Sequence, residues 1–264
     1  MSLDERISEN ILPHSQELYY RLRLIVIVFI LSLIIIMFFP YDVLLGDFSF
    51  SSYKPLVVAE LEWVLKWITS QINTEHFLLI IGSPMAVILA YFELGIITTF
   101  AINYPFIIWQ LYLYLKPGLY EEEKSFIRSI IFFATILFVI GVLFGFFMMP
   151  SILQTLVGIG NLEVNNIGQY YALSDVIEFF FWSVVSTGIL FTYPLFILLF
   201  VLFGFIDTES LRKRRRHIIV ALMGITAIIT PDPSPISMLI LSVPLVFLYE
   251  ITINLSYKIE KTPF

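Results

Sequence analysis

Residues 129–149 read SIIFFATILFVIGVLFGFFMM, an uninterrupted apolar run without a charged side chain, followed by Pro150. A helix rises 1.5 Å per residue and a bilayer's hydrocarbon core is about 30 Å thick, so roughly 20 apolar residues cross it. The run has that length. Similar runs recur through a chain that is 59% hydrophobic and 14% charged. Backbone N–H and C=O groups in lipid must pair within the segment, which selects helices over open sheets. The chain therefore reads as an all-α membrane protein, one multi-pass domain over residues 1–264.

Six spans are predicted. They cover residues 22–39, ended by Pro40; 84–107, running on towards Leu115; 129–149, closed by Pro150; 176–203, stopped near Gly204; 218–230; and 236–253. The fifth is short, lying just before the run PDPSP at 231–235. An even number puts both termini on one side. Residues 1–21 are polar and mixed in charge, and no small-residue cleavage site follows the first apolar run, so a cleavable signal peptide is not expected.

Basic residues choose the side. Of fifteen Lys and Arg, all but Lys54 and Lys66 fall on the N-terminal tail, the 116–128 connection, the cluster RKRRR at 212–216, or the C-terminal tail. Positive charge marks the cytoplasmic side, so both termini are expected there, in the cell membrane. Beside a span, RKRRR reads as a topology anchor that attracts anionic lipid. Nucleic acid is not an expected partner.

On the opposite side, residues 55–72 predict an interfacial helix capping the bundle. Leu61, Val64, Leu65, Ile68 and Ile72 recur at helical spacing, and Glu62–Lys66 forms an i,i+4 pair. Residues 150–175, rich in Asn and Gly, are expected to be irregular. Gly141 and Gly145 form a G-x-x-x-G that calls for a close helix neighbour, internal or from another subunit.

Catalytic signals are missing from the sequence. His14, His76 and His217 lack metal-ligand spacing, there is no phosphate loop or nucleophile elbow, and there is no cysteine. Neither an enzyme nor a cofactor or metal is expected. Glu93, well within the second span, is a polar candidate because burying a carboxyl in lipid is costly. It leaves open a rival reading, a proton-coupled ion or solute transporter. Two other acidic sites lie at membrane entries: Glu17 in LPHSQELYYRLRL and the triplet Glu121–Glu123 in LKPGLYEEEKSF. Each is either a solvated helix start, favoured by the dipole, or a receptor for a cationic partner. Carboxylates hold guanidinium groups through two parallel charge-assisted hydrogen bonds.

Taken together these stretches resemble the TatC family, the core membrane subunit of the twin-arginine protein translocase, over nearly the whole chain from His14 to Glu250. The family's H-L-x-E-L-R-x-R-L is met at His14, Glu17, Leu18, Arg21 and Leu22, with departures at Ser15 and Tyr19. Pro105, Gln110, Pro117, Gly118, Leu119, Tyr120 and Glu123 follow the P-x4-Q…PGLY-x-x-E order, and Asp232, Pro244 and Glu250 follow the TP-D…P…YE order. Many relatives carry a glutamate in the fourth span where GILFTYP has Thr192, and a lysine in the second span where this chain has Glu93.

The resemblance implies six helices in a cupped bundle. It further implies that Glu17 and Glu123 hold the arginine pair of a cargo signal peptide, with His14, Arg21, Gln110 and Tyr120 shaping the site and Pro105, Pro117, Gly118 and Leu119 shaping its loop. Glu93, Thr192 and Asp232 are intramembrane or outer-side polar candidates. The implied partners are signal peptides of folded cargo, TatA-type and, where present, TatB-type single-span proteins and membrane lipid, in an oligomeric complex driven by the proton gradient.

Overall fold

The computed structural model describes residues 3–44, 53–72, 78–118, 120–160, 170–229 and 235–261. The elements in chain order are α1 (Leu3–Phe38), α2 (Tyr41–Leu44), α3 (Leu56–Gln71), β1 (Leu78–Ile80), α4 (Pro84–Leu115), a single 3-10 turn (Lys116–Gly118), α5 (Glu121–Gly160), β2 (Tyr170–Ala172), α6 (Leu173–Phe191), α7 (Tyr193–Leu202), α8 (Thr208–Lys213), α9 (Arg215–Ile229) and α10 (Pro235–Lys261). The chain is a multi-span helical membrane protein, as its composition demands.

Among the described residues, five helical stretches are long and apolar enough to cross a membrane: Gln16–Phe38, Pro84–Gly118, Lys124–Thr155, Leu173–Leu202 and Met238–Lys258. They correspond to the expected first, second, third, fourth and sixth spans. The expected fifth, residues 218–230, falls on α9, whose 15 residues reach only about 22 Å. Residue 230 lies outside the described residues.

Three boundaries differ from expectation. Proline does not close the third span: α5 passes through Pro150 and runs to Gly160. The ring removes one backbone hydrogen bond, but Met149, Ile152, Leu153 and Val157 on either side of it are all buried and hold the helix together. The expected irregular loop 150–175 is thus partly helix, and it ends in a strand. β2 pairs in parallel with β1, in register from Leu78↔Tyr170 to Ile80↔Ala172, a small addition to an otherwise helical architecture. The fourth span is broken between α6 and α7 at Thr192, two residues before Pro194, whose ring cannot follow the turn before it. The Thr192 hydroxyl donates to the Ile189 carbonyl at 2.6 Å, occupying an acceptor at the break.

The neighbour that Gly141 and Gly145 call for is internal. A Cβ on Gly141 would stand 2.7 Å from the Phe191 Cβ and 2.9 Å from the Gly188 backbone; one on Gly145 would stand 3.1 Å from the Val184 backbone. The α5 and α6 backbones therefore approach as closely as glycine permits. The fourth span runs back along α5: Met149 and Leu153 cluster with Ile177 and Phe180 of α6, while Ile130 and Ala134 cluster with Leu195 and Leu198 of α7. This antiparallel packing returns residues 203–216 to the same end of the bundle as the Lys116–Gly118 turn.

Helix α3 caps the other end. Its buried stripe is Val57, Leu61, Val64 and Ile68, close to the expected one, and Trp67 stacks on Phe146 of α5 at 4.1 Å. The expected Glu62–Lys66 pair is replaced: Glu62 bonds Lys54, just before the start of α3, at 2.5 Å instead.

Candidate functional site

At the end of the bundle shared by the α4–α5 connection, three of the expected site residues meet. Glu17 and Arg21 lie one turn apart on α1, and Arg21 Nε and Nη2 both donate to Glu17 Oε1, at 3.1 and 2.5 Å. Arg21 Nη1 donates to Gln110 Oε1 of α4 at 3.4 Å. Gln110 is buried and the Arg21 side chain is 19% exposed, against 30% for Glu17. The result is a carboxylate already holding a guanidinium, fixed by a buried amide on the neighbouring helix. Glu at i and Arg at i+4 is the favourable orientation on a helix, a spacing that announces the pair in the sequence.

The α4–α5 connection lies beside this cluster. Pro117 and Gly118 belong to the 3-10 turn, and Tyr120 is 79% exposed just before α5. Tyr112, buried on α4, donates its hydroxyl to the Lys124 carbonyl of α5 at 3.4 Å, so the two helices are tied across the turn. Nothing in the local sequence singled out Tyr112 for that tie. Glu121, Glu122 and Glu123 are the first three residues of α5, where the helix dipole favours acidic groups. Glu121 is exposed and bonds Lys124 at 2.7 Å, a hydrogen bond that holds its carboxyl below the usual range. His14 lies on α1 and Glu123 on α5, but both side chains, along with Leu119 and Asp232, lie outside the described parts of the structure. Pro105 interrupts the hydrogen-bond ladder inside α4, five residues before Gln110.

The intramembrane candidates do not join this site. Glu93, on α4 nearer the α3-capped end, is half-buried and feels the Glu178 carboxylate of α6. Thr192 is fully buried at the α6–α7 break and pairs with Tyr104 of α4, whose ring stacks on Phe138 at 3.7 Å. RKRRR is partly spent on structure: Arg215 bonds Glu250 of α10 at 2.7 Å and Arg212 sits over the Tyr257 ring at 5.7 Å.

A polar group that no motif marked lies at the α3-capped end. Glu60 of α3 is half-buried and accepts a hydrogen bond from Thr98 of α4 at 2.7 Å. Burial raises its carboxyl to about 7, against the pull of the Thr98 bond. Glu60 lies on the face of α3 that also carries the buried Val57 and Leu61.

Residues 13–244 match the family described as Sec-independent protein translocase protein (TatC). Among curated relatives bearing that name, the protein of Helicobacter pylori is 30% identical over 69% of this chain and 70% of its own length. That of Deinococcus radiodurans is 28% identical over 96% and 87%, and that of a Blattabacterium is 31% identical over 61% and 60%, so the match spans less than two thirds of this last relative. Two crystal structures titled as the twin-arginine translocase receptor TatC superpose with TM-scores of 0.68 and 0.69 at 26% and 27% identity, over 93% and 92% of this chain and 99% of each of theirs. With its sequence matched over most of its length and its helices superposed on solved relatives, this chain belongs to the TatC family.

Proposed function

We propose that the protein is the signal-peptide receptor and core of a twin-arginine translocase, moving folded proteins across the cell membrane. Six spans, with α9 counted as a short one, bring both termini to one side, and the basic residues gathered on that side mark it as the cytoplasm. The observation that carries the reading is the Glu17–Arg21–Gln110 cluster: a carboxylate whose partner is a guanidinium, at the membrane end where the basic residues gather. A peptide arginine meets the same acceptor that Arg21 meets now, and Glu123, at the start of α5, supplies the second carboxylate for an arginine pair. Tyr120 and His14 complete the rim. TatA-type and, where present, TatB-type single-span proteins are the partners, and the transmembrane proton gradient drives transport; no chemistry is performed on the cargo.

The test uses the full chain in detergent with a folded cargo carrying either an Arg-Arg or a Lys-Lys signal peptide. Arginine-pair cargo should co-purify and lysine-pair cargo should not, because lysine cannot make the forked contact. Equal recovery of the two would overturn the reading.

A further inference from the structure

The half-buried Glu60 carboxyl opens on two adjoining cavities. One, of about 310 Å³, runs between the spans and is almost wholly apolar, lined among others by Ala101 of α4, Val142 and Phe146 of α5, and Phe181 and Val184 of α6. The other, of about 520 Å³, has a mixed lining that gathers the charged side chains of Lys54, Glu60, Glu62 and Lys66 together with Tyr41 and Thr98. Glu60, Trp63, Thr98 and Ile102 belong to both, so the two are joined through the carboxyl.

The apolar cavity opens sideways. Its rim residues Ile102, Val139 and Leu143 are 63%, 48% and 50% exposed, and all three lie within membrane-spanning stretches. What reaches that opening is acyl chain rather than water. The second cavity, by contrast, carries charges of both signs: Lys54 is bonded to Glu62, Lys66 is exposed, and Glu60 has Thr98 but, among the described residues, no basic side chain in an ion pair with it.

From this juxtaposition we propose that the Glu60 pocket binds one phospholipid with a primary-ammonium head, phosphatidylethanolamine, whose acyl chain fills the apolar cavity. The ammonium donates to the Glu60 carboxylate and the phosphate lies towards Lys66. A choline head has no N–H to donate, and a glycerol head has no cation, so the charge pattern selects against both. Bound, the lipid supplies the cation that Glu60 lacks and fills the space between α3 and the spans beneath it.

The full chain in detergent, stripped of lipid, is titrated with phosphatidylethanolamine, phosphatidylcholine or phosphatidylglycerol of identical acyl chains, and bound copies are counted by native mass spectrometry. One copy of phosphatidylethanolamine should be held about tenfold more tightly than either of the others, the scale of one charge-assisted hydrogen bond. Glu60→Gln keeps an acceptor for Thr98 and the same shape, and should bring phosphatidylethanolamine down to the level of phosphatidylcholine. Lowering the pH from 8 to 5 should do the same in the unaltered protein, since it protonates the Glu60 carboxyl, which burial raises to about 7, while Glu62 is held ionised by its bond to Lys54; Tyr41, Lys54 and Lys66 are the other polar groups that line the cavity. Ala101→Phe, which narrows the apolar cavity, should weaken all three lipids. A preference for phosphatidylglycerol would assign the pocket to the lysines and overturn the proposal, as would a phosphatidylethanolamine preference that survives Glu60→Gln.

Discussion

Arg21 grips Glu17 through two of its nitrogens, so the carboxylate expected to receive a peptide arginine already holds one of the protein's own. Binding a peptide at Glu17 is therefore an exchange of one guanidinium for another, and its net gain is small. Glu123→Ala should weaken a twin-arginine peptide by roughly 10- to 100-fold, the scale of a partly desolvated charge-assisted pair. Glu17→Ala should cost several-fold less. In an Arg21→Ala background the loss from Glu17→Ala should grow, because the internal competitor is gone. Titration of labelled peptide against the four variants measures this; an effect of Glu17→Ala independent of Arg21 would refute the exchange.

The three glutamates opening α5 should not be equivalent. Glu121 is exposed and spent on Lys124, so Glu121→Ala removes a surface pair worth little and should leave peptide affinity within about twofold. Glu122→Ala should behave likewise, while Glu123→Gln should fail as fully as Glu123→Ala because the charge is lost. Equal, mild losses at all three would mean a diffuse acidic surface instead of a site.

Close packing of α5 on α6 predicts a stability effect with no loss of recognition. A methyl at Gly141 would stand 2.7 Å from the Phe191 Cβ and 2.9 Å from backbone, so Gly141→Ala must push two membrane helices apart. The cost should be about 1–3 kcal/mol, seen as a lower Tm in detergent. Gly158→Ala, where nothing lies within 4 Å of the added carbon, is the control and should leave Tm unchanged.

How much of this was readable beforehand depends on the range of the interaction. Glu17 and Arg21 are four residues apart on one helix, and the Gly141–Gly145 spacing is likewise local, so both could be read from a linear string. Glu60 could not. Its burial arises because α3 lays that face against Thr98, thirty-eight residues away, and the same string is compatible with α3 lying flat on the lipid surface. Pro150 misled for a related reason: a proline's tendency to end a helix is local, while the buried residues on both sides of it that keep α5 continuous are packed by α6 and α3. The Lys54–Glu62 bond displaced the expected Glu62–Lys66 pair because Lys54 lies just outside α3, where helical spacing has nothing to say about which side chain it meets.

Glu60 also gives stability a pH dependence. Its folded-state value, about 7, lies above the ordinary 4.5, so between those two values the native state binds more protons than the unfolded state. Stability contributed by Glu60 is then fully present below about 4.5, falls as pH rises towards 7, and is flat above. In lipid-free detergent the Tm of Glu60→Gln minus that of the unaltered protein should climb across that window and level off beyond it. A difference that is constant from pH 4.5 to 8 would show that the carboxyl is not held in its neutral form by burial.

The shortness of α9 makes the last prediction. Its 15 residues reach about 22 Å against roughly 30 Å of hydrocarbon, and a span that falls short is met by thinning of the bilayer beside it. α9 packs against α10 at the edge of the bundle, anchored where Arg215 bonds Glu250, so any thinning lies at the periphery, next to lipid and within reach of a partner helix. If that thinned edge eases passage of cargo, lengthening α9 should remove it. Inserting one turn of leucines after Ile219 leaves the Arg215–Glu250 anchor and the distant Glu17–Arg21–Gln110 cluster in place, so twin-arginine peptide affinity should hold while transport into vesicles drops severalfold. Four residues inserted into α10 beyond Lys258, outside the spanning stretch, serve as the length control and should leave transport intact. Full transport by the lengthened α9, with peptide affinity and Tm unchanged, would separate the short helix from the transport step.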